Sequence, residues 1–180
     1  MKIIAGKHRS RTIKYYKSDT TRPTSNMVRE GVFNMLSNVN GEVVLDLFAG
    51  SGAYGLESLS RGAQFVYFND INQMNVKIIN DNLLSLNESE NAKVNNLDWE
   101  KAINYYQSNE IKFDLIFIDP PYFEKIYEKA IPLVMKRLNE NGRIVVEISK
   151  EINLNLEKLN VEVLKDRNYG SKRILIITHI

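Results

Sequence analysis

The stretch with the most explicit chemistry is Asp119-Pro120-Pro121-Tyr122, which directly follows the run 113–118. That run is apolar apart from one aspartate, as in a buried parallel strand, so the tetrapeptide falls at the sheet edge where ligands bind. Two prolines stiffen the turn and hold its carbonyl oxygens in place. The Asp119 carboxylate and the Pro120 carbonyl can accept both hydrogens of an exocyclic amine and favour a pyramidal nitrogen, while Tyr122 stacks on the base. We predict catalytic roles for Asp119, Pro120, Pro121 and Tyr122; the alternative is a rigid surface turn.

A second motif has the spacing G-x-G-x-x-G and lies between a predicted strand and a predicted helix. It is contained in Asp46-Leu47-Phe48-Ala49-Gly50-Ser51-Gly52-Ala53-Tyr54-Gly55. Glycines at such a turn let backbone N–H groups come close to a ligand at the helix N-terminus. The motif alone also fits a tight turn, so its meaning depends on the residues around it.

Two carboxylates indicate which ligand this turn receives. Asp70 follows Gly50 by twenty residues and can accept hydrogen bonds from both hydroxyls of an adenosine ribose. The alternative for Asp70 is to cap the helix that starts near residue 72. NAD and S-adenosylmethionine both carry that ribose, but Asp46 beside the turn suits the ammonium group of the methyl donor and would repel a pyrophosphate. The sequence therefore favours S-adenosylmethionine over NAD.

Asp98 follows the third predicted strand, with Trp99 beside it. Its side chain could accept the adenine amino group or, equally, could cap the following helix. The residues that we expect to bind the donor are Asp46, Phe48, Ala49, Gly50, Gly52, Asp70, Asp98 and Asp119.

The composition excludes several other chemistries. The chain has no cysteine, so thiolate nucleophiles, cysteine zinc sites and disulfides are excluded. Methylation at pyrimidine C5 by the usual covalent route needs a thiolate, so an amino nitrogen is the expected acceptor. His8 and His179 are far apart in sequence and lie in no plausible ligand cluster, and we expect no metal. Because no run approaches the roughly 18 apolar residues of a membrane span and the N-terminus lacks an apolar signal core, we expect a cytoplasmic protein without a membrane partner.

Alternating apolar runs and helical stretches predict the α/β fold that would position these residues. We expect a Rossmann-like sheet of seven strands, mostly parallel with an antiparallel C-terminal strand and with helices on both faces. The predicted strands are 43–47, 65–68, 92–95, 113–118, 144–148, about 160–165 and 174–178. The predicted helices are 53–61, 72–87, 99–107 and 124–138, the last stopped by Asn141-Gly142, and the turn 167–171 is expected to join the last two strands in a hairpin.

A basic segment precedes this body. Residues 1–30 carry a net charge of +6, and the other 150 residues carry −4. Two short strands, 3–6 and 11–15, are expected to form a hairpin, followed by a helix over about 25–38 with Thr24 or Ser25 as its N-cap. The predicted domains are residues 1–40, a basic hairpin plus helix, and residues 41–180, the catalytic domain. The charge of the first segment suits a polyanionic partner such as nucleic acid or, equally, a solubilising role. In the first case it is an RNA-binding extension under the family resemblance given next, with contacts at Lys7, Arg9, Arg11, Lys14 and Arg22.

Several motifs together resemble one known family, the bacterial methyltransferases that modify guanine N2 in 16S ribosomal RNA. The motifs are Ile3-Ile4-Ala5-Gly6 with Arg9 and Arg11, Arg22-Pro23-Thr24, Val28-Arg29-Glu30, Phe33-Asn34-Met35-Leu36, Asp46-Leu47-Phe48-Ala49-Gly50-Ser51-Gly52, Gly55-Leu56-Glu57, Ser60-Arg61-Gly62 and Asp119-Pro120-Pro121-Tyr122. The similarity covers nearly the whole chain. The Arg-Pro-Thr and Val-Arg-Glu block is much more specific than the glycine motif and Asp-Pro-Pro-Tyr, which together specify only the wider class of amino methyltransferases of DNA and RNA.

The resemblance implies donor contacts at Asp46, Gly50, Gly52, Asp70 and Asp98, and target-amine contacts at Asp119 and Tyr122. It also implies 16S ribosomal RNA or a small-subunit particle as the partner, and an RNA-binding role for the basic extension. We expect a monomer. Two alternatives stay open: a DNA adenine-N6 methyltransferase, for which 180 residues leave little room for a sequence-reading domain, and a nucleotide-binding α/β module without catalysis.

Overall fold

Seven strands form one sheet in the computed structural model, which describes residues 1–15, 26–121 and 124–180. In chain order the strands are β1 (Val43–Asp46), β2 (Phe65–Asn69), β3 (Ala92–Asn95), β4 (Phe113–Ile118), β5 (Leu138–Ser149), β6 (Glu162–Tyr169) and β7 (Lys172–Thr178). Their order across the sheet is β3-β2-β1-β4-β5-β7-β6. Strands β1 to β5 pair in parallel, and β7 pairs antiparallel with both β5 and β6. This confirms the predicted fold class.

Helices cover both faces of the sheet. They are α1 (Asn26–Leu36), α2 (Ala53–Ser60), α3 (Gln73–Leu86), α4 (Trp99–Ser108), α5 (Glu124–Met135) and α6 (Leu156–Leu159). Strand β4 shows why two layers are needed: Leu115 and Phe117 pack with α1, α2 and α3, whereas Ile116 and Ile118 pack with α4 and α5. Successive side chains on a strand point to opposite faces, so a continuously apolar strand must be buried on both.

The predicted N-terminal hairpin is reduced to one isolated antiparallel bridge between Lys2 and Thr12, so the expectation of two regular strands was wrong. A backbone hydrogen bond from Ile3 to the Arg11 carbonyl, 3.0 Å, holds the pairing. The next two N–H groups donate instead to the Glu57 carboxylate of α2, because this segment docks on the body of the protein rather than extending its own ladder. The proposed N-caps of α1, Thr24 and Ser25, lie outside the described residues.

Two boundaries near the C-terminus also differ from the prediction. Helix α5 ends at Met135, and Asn141-Gly142 lies inside β5 rather than stopping a helix. The chain enters the sheet early because buried Leu138 pairs with Phe113, and the register then shifts before β4 and β5 pair again. Residues 167–169 belong to β6, so the predicted five-residue turn shrinks to Gly170-Ser171, with Gly170 in the left-handed region at φ 58°.

Candidate active site

One cavity of about 490 Å³ lies where β1, β2 and β4 reach their C-terminal ends. The predicted site residues that line it are Asp46, Phe48, Ala49, Gly50, Asp70, Asp98, Asp119, Pro120 and Pro121. The structure therefore brings the glycine motif and the start of Asp-Pro-Pro-Tyr to one place, although some 70 residues separate them in sequence. Tyr122 lies outside the described residues.

The two glycines of the turn do different jobs. Both are left-handed, Gly50 at φ 54° and Gly52 at φ 76°. A methyl group built on Gly50 would meet nothing within 4 Å, so this backbone faces open space in the cavity. On Gly52 it would come within 3.0 Å of Ile79 on α3. Gly52 does not line the cavity; it forms the N-cap of α2 and lets the turn pack against α3, and its contact with the donor stays a prediction.

Asp70 ties the end of β2 to the glycine turn. One carboxylate oxygen accepts from the Gly50 N–H at 2.7 Å, and the other accepts from the Asn72 N–H at 2.8 Å. The N-cap of α3 is Asn72, whose side chain accepts from Met74 N–H. The alternative that Asp70 caps this helix is therefore wrong. Its carboxylate lies at the cavity wall, half-buried beside Gly50.

Asp46 is buried beside the same turn, where its carboxylate accepts the Gly55 N–H at 3.0 Å. Burial raises the pKa of Asp46 to about 7, the charge of Asp70 adds to the rise, and the Gly55 hydrogen bond opposes it. A buried carboxylate with a raised pKa is poised to ionise when a cation comes close.

Asp98 accepts the Glu100 N–H at 3.0 Å and is the N-cap of α4, so the capping alternative is confirmed. Its carboxylate also lines the cavity, and its contact with an adenine amino group stays a prediction. Behind it, the rings of Trp99 and Phe48 pack with centroids 6.3 Å apart and form an apolar wall.

Two further residues at this edge were not predicted from the sequence. Asn69, fully buried at the end of β2, donates from its side-chain amide to the carbonyls of Leu47 and Leu97, and so ties the ends of β1 and β3 together. Ile71 is 71% exposed although it lines the cavity. Its position directly after the strand-ending Asp70 is the signal that could have found it.

Three linked polar side chains lie next to Asp119 and were also not predicted from the sequence. The Lys172 ammonium lies 4.0 Å from an Asp119 carboxylate oxygen and 3.2 Å from Glu147 Oε1. The other Glu147 oxygen accepts the Tyr54 hydroxyl at 2.7 Å. We call Lys172, Glu147 and Tyr54 the Lys172 bridge. The signal for Glu147 was its charge in an otherwise apolar run, Ile144 to Ile148.

Three of the predicted RNA-binding residues, Lys7, Arg11 and Lys14, contact α3 or the turn after it. Lys7 pairs with buried Glu88 at 2.6 Å, and Lys14 pairs with Asp81 at 3.1 Å. Arg11 donates to the Ser85 carbonyl at 2.8 Å. Arg9 is exposed. Arg22 lies outside the described residues.

Metal-binding and membrane-spanning features were sought in the same ranges. Residues 1–15, 26–121 and 124–180 contain no group of three or more His, Cys, Asp or Glu side chains that could hold a metal ion. Within them, no helix is both long enough and apolar enough to cross a membrane.

Comparison with known proteins gives consistent matches over nearly the full length. The profile of a family described as "Conserved hypothetical protein 95" matches residues 1–178. The chain is 34% identical to Bacillus subtilis YlbH, covering 98% of this chain and 97% of that protein. It is 34% identical to the Haemophilus influenzae ribosomal RNA small subunit methyltransferase D, covering 94% and 89%. The solved structure of Escherichia coli yhhF is 27% identical and superimposes with a TM-score of 0.86, covering 99% of this chain and 97% of that one.

Proposed function

This chain belongs to the family described as Conserved hypothetical protein 95, and on that premise we propose that it is an S-adenosylmethionine-dependent methyltransferase acting on guanine N2 in 16S ribosomal RNA. The names of curated relatives support methylation of small-subunit ribosomal RNA. The observation that carries the proposal is the single cavity in which Asp46, Asp70 and Asp119 face the same space.

The donor half of this cavity fits S-adenosylmethionine. Gly50 leaves room for close backbone approach, Asp70 offers a carboxylate for ribose hydroxyls, and the buried Asp46 offers a negative charge for the amino-acid ammonium. When bound, the donor supplies a methyl group whose bond to positively charged sulfur breaks as the bond to the target nitrogen forms, and that nitrogen gives up one proton.

The acceptor half of the cavity is the turn that follows β4. Asp119 stands at the cavity wall, and Pro120 and Pro121 line it beside the carboxylate. We assign Asp119 and the Pro120 carbonyl as acceptors for the two amine hydrogens, and Tyr122 as the ring that stacks on the base. Positioning of this kind contributes roughly 7 to 11 kcal/mol of barrier reduction in well-oriented reactions. A base within a duplex must first be flipped out to reach this turn.

The N-terminal segment is the proposed RNA contact. Lys7, Arg11 and Lys14 each bind a group on α3 or on the turn after it. These three contacts hold the N-terminal segment beside the rest of the protein. Exposed Arg9 at the tip is the side chain best placed to meet a phosphate. Tyr15, at the end of the same segment, lines the active-site cavity, so an RNA held there would be guided toward the reacting turn.

Transfer of labelled methyl groups tests the proposal directly. The protein would be incubated with tritium-labelled S-adenosylmethionine and either naked 16S ribosomal RNA, small-subunit particles or duplex DNA, and the products digested to nucleosides. We expect label in N2-methylguanosine from one of the two RNA samples. Label in N6-methyladenine from DNA would identify the first alternative, and donor binding without transfer to any of the three would identify the second.

A further inference from the structure

The cavity holds an unusual balance of charge. Four aspartates line it, Asp46, Asp70, Asp98 and Asp119, and Lys172 is the one basic side chain that lines it within the described residues. Carboxylates that share a small site disfavour one another's ionised form, and a cation within about 4 to 6 Å favours it. The position of the Lys172 ammonium therefore decides which of these carboxylates has its ionised form stabilised.

Lys172 is held beside Asp119 by a partner that is itself buried. Glu147 is 3% exposed and lies 3.2 Å from the Lys172 ammonium through one oxygen. Its other oxygen accepts the Tyr54 hydroxyl at 2.7 Å. A buried carboxylate is costly unless it is paired and hydrogen-bonded, and Glu147 is both. Glu147 thus fixes the position of the Lys172 ammonium, which lies 4.0 Å from an Asp119 carboxylate oxygen. At that distance its positive charge favours the ionised form of Asp119.

Tyr54 completes the Lys172 bridge and cannot act as a base. Burial raises its pKa well above the ordinary value, and the charges of Glu147, Asp119 and Asp46 add to the rise. The phenol therefore stays protonated and donates to Glu147. Its ring stacks on Phe117 of β4 with centroids 4.6 Å apart, which fixes the bridge to the strand that carries Asp119 at its end.

Resting on the proposed function, we propose that Lys172 is a positioning residue that keeps Asp119 ionised and oriented as the acceptor for the target amine, with Glu147 and Tyr54 holding Lys172 in place. A protonated Asp119 would present an O–H donor to an amine that needs an acceptor. The same carboxylate, when ionised, can receive the proton that the nitrogen gives up after methyl transfer.

The pH profile of the single-turnover transfer rate separates this role from a structural one, when it is measured at saturating donor so that the ionisation of Asp46 in donor binding does not contribute. In Lys172→Met the loss of positive charge should move the acid limb of the profile to higher pH by about one unit. In Glu147→Gln the loss of a negative charge near Asp119 should move it to lower pH, because the ionised form of Asp119 is then opposed by one carboxylate fewer. Lys172→Arg should restore the wild-type limb. Lys150→Met, which removes an exposed lysine next to β5, is the matched control and should leave the profile unchanged.

With donor saturating, so that Asp46 does not set the limb, opposite shifts in the two variants are the result expected if they alter the charge at Asp119. Loss of activity in both with the limb unmoved would overturn the inference, as would shifts of the same sign. If Lys172→Met does not fold, the direction of the Glu147→Gln shift still decides. A different result would contradict the proposed function: full methyl transfer by Asp119→Ala. If Asp119→Ala is inactive and the acid limb is unmoved in the Lys172 and Glu147 variants, only the inference about Lys172 is overturned.

Discussion

Two buried carboxylates lie in opposite environments. Glu57 lies where the N-terminal segment, residues 1–15, packs on α2, which we call the docking site, and Asp46 lies beside the cavity. Glu57 on α2 is fully buried and accepts the N–H groups of Ile4 at 2.8 Å and Ala5 at 3.0 Å and the Arg61 guanidinium at 2.8 Å. Asp46 is nearly as buried, but it accepts a backbone N–H from Gly55 and its pKa is raised to about 7. A carboxylate surrounded by donors holds structure together, whereas one that is short of positive partners beside a cavity is suited to a ligand.

The same buried contact brings together two of the motifs that carry the family resemblance. Fully buried Arg29 of α1 lies 3.6 Å from Glu57, an ion pair too long for a hydrogen bond. It donates to the Lys2 carbonyl and, at 3.1 Å, to the Asn26 side chain. The Val-Arg-Glu and Gly-Leu-Glu motifs thus supply the two ends of one buried contact. The most specific part of the resemblance reports how the N-terminal segment docks, and the less specific glycine and Asp-Pro-Pro-Tyr motifs report the chemistry.

The largest expected effect is on stability. Glu57→Gln leaves buried Arg29 without its charge partner. It also replaces one acceptor oxygen by an amide NH₂, which then faces the N–H donors of Ile4 and Ala5. The free energy of unfolding should therefore fall by about 3 to 5 kcal/mol. Urea denaturation followed by circular dichroism measures this. Glu157→Gln, the same change on the exposed helix α6, is the matched control and should cost almost nothing.

Arg9→Ala sharpens the same comparison, because it removes an exposed cation of the docked segment. It should leave the unfolding midpoint unchanged and flatten the salt dependence of RNA binding by about one slope unit.

For the first prediction, a Glu57→Gln variant as stable as the wild type would show that the docking site is not held by this carboxylate.

A smaller effect is expected at Asp46 and appears in donor binding. Asp46 is an acid whose pKa is raised to about 7, so it is ionised above that pH and protonated below it. Binding of the cationic donor should therefore weaken as pH falls, by about tenfold between pH 8 and pH 6. Isothermal titration with S-adenosylmethionine measures this. Asp46→Asn should bind more weakly at pH 8 and lose the pH dependence.

Asp81→Asn, a change at an exposed carboxylate of α3 that pairs with Lys14, serves as the control and should keep the wild-type pH dependence. If Asp46→Asn retained the full dependence, the titrating group would lie elsewhere.

Local pattern was enough to predict the sheet and most of the cavity. The G-x-G-x-x-G spacing, the strand-ending Asp70 and the apolar run before Asp119 each signal their position within a few residues. The ends of α5 and the C-terminal hairpin were predicted less well, because Leu138 enters the sheet through a pairing with Phe113 that no local pattern contains.

The Lys172 bridge could not be predicted for the same reason. Its members come from α2, β5 and β7, and 93 residues separate Tyr54 from Glu147. Only the antiparallel insertion of β7 beside β5 brings Lys172 next to Glu147. Likewise, the charge of Lys7 and Lys14 was visible in the sequence, but their partners on and after α3 were not.

The central claim is that the cavity binds the donor in one half and presents Asp119 to the target amine in the other. The most direct test measures donor binding and methyl transfer on the same Asp119→Ala protein, by titration with S-adenosylmethionine and by single-turnover transfer of labelled methyl groups to ribosomal RNA. We predict that donor binding is retained, with a dissociation constant within a few fold of wild type, and that the transfer rate falls by about a hundredfold or more, as for loss of one well-placed polar contact to a transition state. Full transfer by this variant would contradict the account.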